Sequence, residues 1–252
     1  MKAIFAAVAL SAATALPSYA FDPAQMTDDE KAAFGAAVRD YLMENPEVMV
    51  EAINGMEARR IAQEVENDQV LVANNKDKIF ADGHSWIGGN PDGDITMVEF
   101  VDYKCGYCKK VNPEVEALIK SDGNIRFILK EFPILGQESD LAARFAVSVQ
   151  QISGPEAYKK AHDALMAYRG PVNLESLGKM AGELGLEAQP IINRMNTEDV
   201  SNVLRENRQL AESMSIMGTP TFIIGPEMLR GVPQSGMAGA VEMARKSQAD
   251  QG

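Results

Sequence analysis

The chain has 252 residues, 24 Lys plus Arg against 36 Asp plus Glu, 46% hydrophobic residues and two cysteines, Cys105 and Cys108. That length fits one large domain or two small ones, and the net charge of −12 opposes nucleic acid as a partner. Two cysteines cannot build a disulfide framework or a four-cysteine zinc site, and a mixed site would have to recruit both histidines, His84 and His162, so no metal or cofactor is expected.

Residues 1–20 read as a cleavable secretory signal. Lys2 precedes the apolar run Ala3 to Leu16, and Ser18 and Ala20 are the small residues a signal peptidase needs before Phe21. Its removal leaves 232 residues at a balance of −13. No later stretch is apolar for long enough to span a bilayer, so the mature chain is expected to be exported to a compartment where disulfides form.

Residues 21–80 read as a helical extension. Thr27-Asp28-Asp29-Glu30 has the pattern of a capping box, and Phe34, Val38, Tyr41 and Leu42 follow at helical spacing until Asn45-Pro46. A second helix is predicted from Pro46 to about Lys78, roughly 50 Å at 1.5 Å per residue. Its apolar stripe (Met49, Ile53, Met56, Ile61, Val65, Val72) is thin and broken by Arg59-Arg60 and Asn67-Asp68. Such a stripe either folds back on the main domain or forms a stalk that associates with copies of itself, and the high polar content favours the stalk. Gly88-Gly89-Asn90-Pro91-Asp92-Gly93-Asp94 reads as a turn where the main domain, residues 81–252, begins; it lacks the Lys-Ser/Thr of a phosphate loop.

The hydrophobic period then changes. Ile95 to Tyr103 is a buried-strand run, Lys109 to Lys120 a helix containing Pro113, and Ile125 to Phe132 a second strand, which a right-handed crossover makes parallel to the first. Residues 137–214 carry helical patterns only. A short strand, Thr221 to Ile224, a return over Met228 to Gly231 and a final helix, Ser235 to Lys246, complete an α/β order of β-α-β, helical insertion, β-β-α.

The strand-to-helix junction carries the candidate chemistry, Cys105-Gly106-Tyr107-Cys108. Two cysteines at this spacing can close a small disulfide ring, and a helix N-terminus stabilises a thiolate. Cys105 is the expected nucleophile and Cys108 the resolving thiol. Glu99, six residues earlier, points to one of two apolar faces of its strand. It is expected either to relay protons to Cys108 or to form an ion pair with Lys130 or another base, and Lys130-Glu131, at the end of the neighbouring strand, is expected in the same network. Thr219-Pro220 enters the third strand; a cis bond there would present the Thr219 backbone to an extended substrate.

Glu99-Phe100-Val101-Asp102-Tyr103-Lys104-Cys105-Gly106-Tyr107-Cys108-Lys109-Lys110, with Pro113 beyond it and Met217-Gly218-Thr219-Pro220-Thr221-Phe222 near the end, resembles the DsbA-like branch of the thioredoxin superfamily. The helical block after Lys130-Glu131-Phe132-Pro133 is similar to that branch's insertion. The N-terminal extension with Tyr41-Leu42-Met43-Glu44-Asn45-Pro46-Glu47 is similar to the suppressor-of-copper-sensitivity C proteins. The resemblance implies a thioredoxin fold with a helical insertion and a periplasmic protein-disulfide oxidoreductase. Its catalytic residues would be Cys105, Cys108 and Glu99, paired as a redox-active Cys105–Cys108 disulfide, and Gly106, Tyr107, Thr219 and Pro220 would meet the substrate. It further implies exported cysteine-containing proteins as substrates, a membrane electron-transfer partner and a homo-oligomer built through the N-terminal helices.

Gly106-Tyr107 stands where the strong oxidases of that superfamily carry Pro-His, and Thr219 before Pro220 resembles the disulfide isomerases. The direction therefore leans to isomerase or reductase, with dithiol oxidase as the alternative. A copper-binding protein is the alternative of another class, since thiolates and thioethers suit Cu(I). The 13 mature methionines lack Met-x-x-Met clustering and read better as packing residues.

Overall fold

The computed structural model describes residues 26–250, and the leader expected over 1–20 lies outside them. The capping box at Thr27 is formed: its N–H donates to Glu30 Oε2 at 2.8 Å while Glu30 N–H donates to Thr27 Oγ1 at 3.4 Å. It starts α1 (Asp28–Glu44), which buries none of its side chains. The predicted second helix is divided into α2 (Glu47–Asn74) and α3 (Lys76–Phe80). The break falls at Asn75, whose side-chain amide donates to Leu71 O at 2.9 Å and whose backbone leaves helical geometry. The chain divides into two compact units, one ending at Arg59 and the other beginning at Arg60.

The second unit is built on a five-stranded sheet of order β1-β3-β2-β4-β5. Its strands are β1 (Trp86–Gly89), β2 (Ile95–Val101), β3 (Ile125–Glu131), β4 (Thr221–Ile224) and β5 (Glu227–Arg230). The expected β-α-β unit is present: β2 and β3 pair in parallel, with Glu99 beside Leu129, and α4 (Gly106–Asp122) crosses between them. β4 runs antiparallel to both β2 and β5. β1 corrects the sequence reading, which placed Gly88-Gly89 in a turn. Those glycines end an edge strand antiparallel to β3, and Gly89, at φ +66°, lies so close to Ile125 O that a Cβ would meet it at 2.3 Å.

Period-two alternation sends Ile95, Met97 and Val101 of β2 and Ile125, Phe127 and Leu129 of β3 to one face, where α4 and the C-terminal helix α9 (Gly236–Asp250) pack. Val98, Phe100 and Ile128 go to the other, against Val72, Ile79, Leu210 and Met214. The region read as helical throughout forms α5 (Gln137–Ala167), α6 (Leu174–Glu183), α7 (Ala188–Arg194) and α8 (Glu198–Ser213). Within α5, Gly154 at φ 84° interrupts the helix at the Ser153-Gly154-Pro155 break the sequence marks.

Candidate active site

The end of β2 and the start of α4 hold the two cysteines in place. Asp102 fixes the loop: its carboxylate accepts Lys104 N–H at 2.7 Å, Ile134 N–H at 2.8 Å and Leu135 N–H at 3.0 Å. Cys105 is the N-cap of α4, in extended geometry (φ −70°, ψ 116°), and its sulfur accepts the Cys108 N–H at 3.3 Å. A sulfur in this position replaces the usual Ser or Asp oxygen of an N-cap, so a thiolate there gains a backbone donor and the positive end of the helix. The Cys105 thiol also donates to Thr219 O at 3.2 Å. Both thiols are free, and Cys105 keeps slightly more surface than the fully buried Cys108.

The Thr219–Pro220 bond is cis. Thr221 Oγ1 braces its loop by donating to Gly218 O at 2.8 Å, and Pro220 O accepts Gly231 N–H at 3.0 Å. Thr219 N–H has no partner among the described residues, so one edge of this loop is open to an incoming backbone. Tyr107 stands out into solvent beside Gly106, 71% exposed.

Beneath the dithiol lies Glu99, fully buried, with neither carboxylate oxygen hydrogen-bonded. Burial, then the negative charge of the Cys105 thiolate and of Glu116 and Glu131, raises its pKa to about 8. Burial also pushes the Cys108 thiol far above the ordinary thiol range, and the Glu99 charge adds to the shift. A second buried acid, Glu131, which the sequence reading placed in the Glu99 network, lies on this face. Glu131 accepts Tyr103 OH at 2.7 Å and Tyr158 OH at 2.6 Å on one oxygen, and burial raises it to about 8 against the pull of those two donors. Tyr103 OH lies 3.1 Å from His162 Nδ1, and burial lowers the His162 pKa to about 3, which keeps that ring neutral. The tyrosine partners of Glu131 lie 28 and 27 positions away along the chain, so spacing gave no signal of them.

The ion pair between Glu99 and Lys130 is not formed. β-strand alternation puts Glu99 and Glu131 on the α4 face and Lys130 on the opposite one, where its ammonium reaches Asp82 at 2.5 Å and Ser85 Oγ at 3.3 Å. Burial works against the Asp82 charge, but Lys130 outweighs it and holds that carboxyl at about 2. Lys130 and Glu131, expected in one network, therefore belong to two. Among the described residues, Glu116, His162 and Asp163 bring potential metal-ligand atoms within 4.8 Å of one another, but Lys159 already pairs with Glu116 at 3.2 Å and Asp163 at 2.7 Å.

A sheet that carries its dithiol at a helix N-terminus, with a cis-proline loop against the first sulfur, has the arrangement of the thioredoxin class. Comparison with known proteins narrows the class: the chain belongs to the DsbA-like thioredoxin domain family, which matches residues 96–237. Residues 30–63 match the N-terminal domain of the copper resistance protein ScsC. A thioredoxin-like oxidoreductase from Silicibacter pomeroyi DSS-3 is 38% identical, with 68% of this chain and 98% of that one covered and a TM-score of 0.63. Proteus mirabilis ScsC in a transitional conformation is 26% identical, with 92% of this chain and all of that one covered and a TM-score of 0.62. Among curated relatives, a Na(+)/H(+) antiporter NhaA 1 of Salinispora arenicola is 26% identical over 55% of this chain, which spans only 21% of that protein's length. No helix of the described residues is long and apolar enough to cross a membrane.

Proposed function

We propose that the protein is an exported, periplasmic thiol-disulfide oxidoreductase that acts on disulfides of secreted proteins, in the isomerase or reductase direction. The observation that carries the reading is the unequal environment of the two sulfurs: Cys105 is capped by a backbone N–H and reaches the Thr219 loop, whereas Cys108 is buried over an unpartnered Glu99. The Cys105 thiolate attacks a substrate disulfide, forming a Cys105–substrate S–S bond and releasing the other substrate sulfur as a thiolate. Cys108, once it gives up its proton, attacks Cys105 Sγ. That closes the Cys105–Cys108 disulfide and releases the second substrate sulfur, so the dithiol supplies two electrons and two protons.

Glu99 is the proton acceptor in this scheme. While Cys105 is a thiolate, its charge helps to keep Glu99 protonated; in the mixed disulfide that charge is gone, the Glu99 pKa falls, and the carboxylate is free to accept a proton when Cys108 must ionise. A resolving thiol this strongly protonated acts slowly, and the mixed disulfide lasts long enough for the substrate to exchange its own sulfurs. That lifetime favours isomerisation over rapid oxidation. Tyr107, Gly106, Thr219 and Pro220 form the substrate rim, with the Thr219 N–H as the donor to an extended segment.

The exposed apolar positions Phe34, Val38, Tyr41, Ile53 and Met56 support a stalk through which copies associate. Light scattering of the full mature chain is expected to give a multiple of the protomer mass; a monomer would reject it. Electrons would come from a membrane redox partner. The deciding experiment is the reduction potential of the dithiol measured alongside refolding of scrambled RNase. Isomerisation by protein held reduced is the expected result, oxidation of reduced substrate alone would assign a dithiol oxidase, and stoichiometric Cu(I) binding without either activity would assign a copper carrier.

A further inference from the structure

A groove of about 360 Å³ opens beside the dithiol, lined by Lys104, Gly106, Lys109, Lys110, Tyr168 and Arg169. Four cations line this one depression in a chain whose net charge is −12. Only Lys104 has a carboxylate, Glu138 at 2.5 Å. Lys109 and Arg169 instead donate to the same backbone oxygen, Tyr168 O, which gathers two like charges without neutralising either. Among the described residues no carboxylate lies within ion-pair distance of Lys109, Lys110 or Arg169. Burial and then the neighbouring charges of Arg169 and Lys104 lower the Lys109 pKa, as expected where like charges crowd together. A folded protein relieves such crowding with an anion; here Glu138 is the one carboxylate at ion-pair distance among the described residues, and the more distant charge of Asp102 offsets the crowding at Lys109 only in part.

Resting on the thiol-disulfide reading of this site, we propose that the groove binds acidic side chains of the substrate polypeptide and so selects cysteines with Asp or Glu close by in sequence. Cys105 makes the connection: its sulfur meets the Thr219 loop on one side, and the next residue, Gly106, lines the groove. A substrate sulfur bonded to Cys105 therefore places the residues within about three positions of its cysteine, each advancing the chain by roughly 3.3–3.6 Å, within reach of Lys110 and Arg169. Exposed cations of this kind act mainly on encounter, so the preference belongs in the second-order rate and weakens with salt.

The test compares two synthetic peptide disulfides of identical sequence except that the cysteine is flanked by two Asp in one and two Lys in the other, each reacted with the reduced full-length protein. The acidic peptide is expected to react faster by on the order of tenfold at low ionic strength. The ratio should fall toward one in high salt and invert in a Lys110→Glu/Arg169→Glu variant. Because both peptides meet the same Cys105, any effect of the charges on thiol reactivity cancels in the ratio. Equal rates for the two peptides in the unaltered protein would overturn the groove and leave the oxidoreductase reading intact, whereas no reaction with either peptide would overturn that reading itself. An acidic preference that survives both high salt and the variant would also overturn the groove, since the selectivity would then lie elsewhere.

Discussion

Lys130 and Glu99 are ionisable side chains with no exposed surface, on adjacent strands and only one position apart in register, yet their surroundings differ completely. On the Lys130 face the charge is matched by Asp82 and Ser85. On the Glu99 face nothing hydrogen-bonds the carboxylate, and its nearest electrostatic neighbours, Cys105, Glu116 and Glu131, all repel a proton's departure. An isolated buried charge costs several kcal/mol, so the first arrangement is that of a structural pair and the second that of a carboxyl held in its protonated form. The Glu131 site lies between these cases, with two tyrosine donors on one oxygen and none on the other.

The comparison can be broken in several places. The largest effect is expected above Glu99: Cys105→Ser should abolish disulfide exchange in a scrambled-RNase assay, and residual turnover would remove the mechanism altogether. On the opposite face, Asp82→Ala leaves the Lys130 ammonium buried without its carboxylate and should cost about 3–5 kcal/mol in denaturant unfolding. A cost near zero would mean that Lys130 is not held as a charged pair. Glu99→Gln should leave the fold intact and slow resolution of the mixed disulfide by about 100-fold, the usual scale of general base catalysis. Unfolding of that variant would make Glu99 structural after all.

The most gradual effect is a difference in pH dependence between the two faces. Asp82 is lowered to about 2, so its contribution is present above the unfolded carboxylate range and is lost as pH falls toward 2. Glu99 and Glu131 are raised to about 8, so the folded state holds protons that the unfolded state has released; their contribution is full below about 4.5 and declines as pH rises to 8. Stability measured by thermal unfolding should therefore fall between about pH 5 and 8, by at most ~1.4 kcal/mol per unit for each group, and less steeply in Glu99→Gln. An unchanged slope in that variant would place the Glu99 pKa in the ordinary range.

Much of this arrangement was legible in the sequence because it depends on local order. The Thr27 capping box, the β2-α4-β3 run, the helical insertion and the Cys105–Cys108 placement all follow from spacing along the chain. The cis bond at Pro220 was an open possibility there, and only the folded loop brings Thr219 O to the Cys105 sulfur. What escaped depends on the other strands. Trp86–Gly89 is too short and glycine-rich to show strand periodicity and is defined by its pairing with β3. Lys130 and Glu131 adjoin in sequence, so one network shared with Glu99, and a Glu99–Lys130 ion pair, looked natural, but adjacent strand residues face opposite ways. Asp102, which fixes the loop through three backbone N–H groups, looked like one more alternating strand residue because its partners lie more than thirty positions away or within the turn itself.

The central claim is that Glu99 takes the proton from Cys108 after Cys105 has formed its mixed disulfide. It is tested most directly by the decay of a preformed Cys105–peptide mixed disulfide, followed by rapid quench and mass spectrometry across pH. The decay rate should rise with pH and level off near the titration of Glu99, which lies at or somewhat below about 8 once the Cys105 charge is removed. In Glu99→Gln it should be slow with no inflection in that range. The same inflection and the same rates in both proteins would contradict the account.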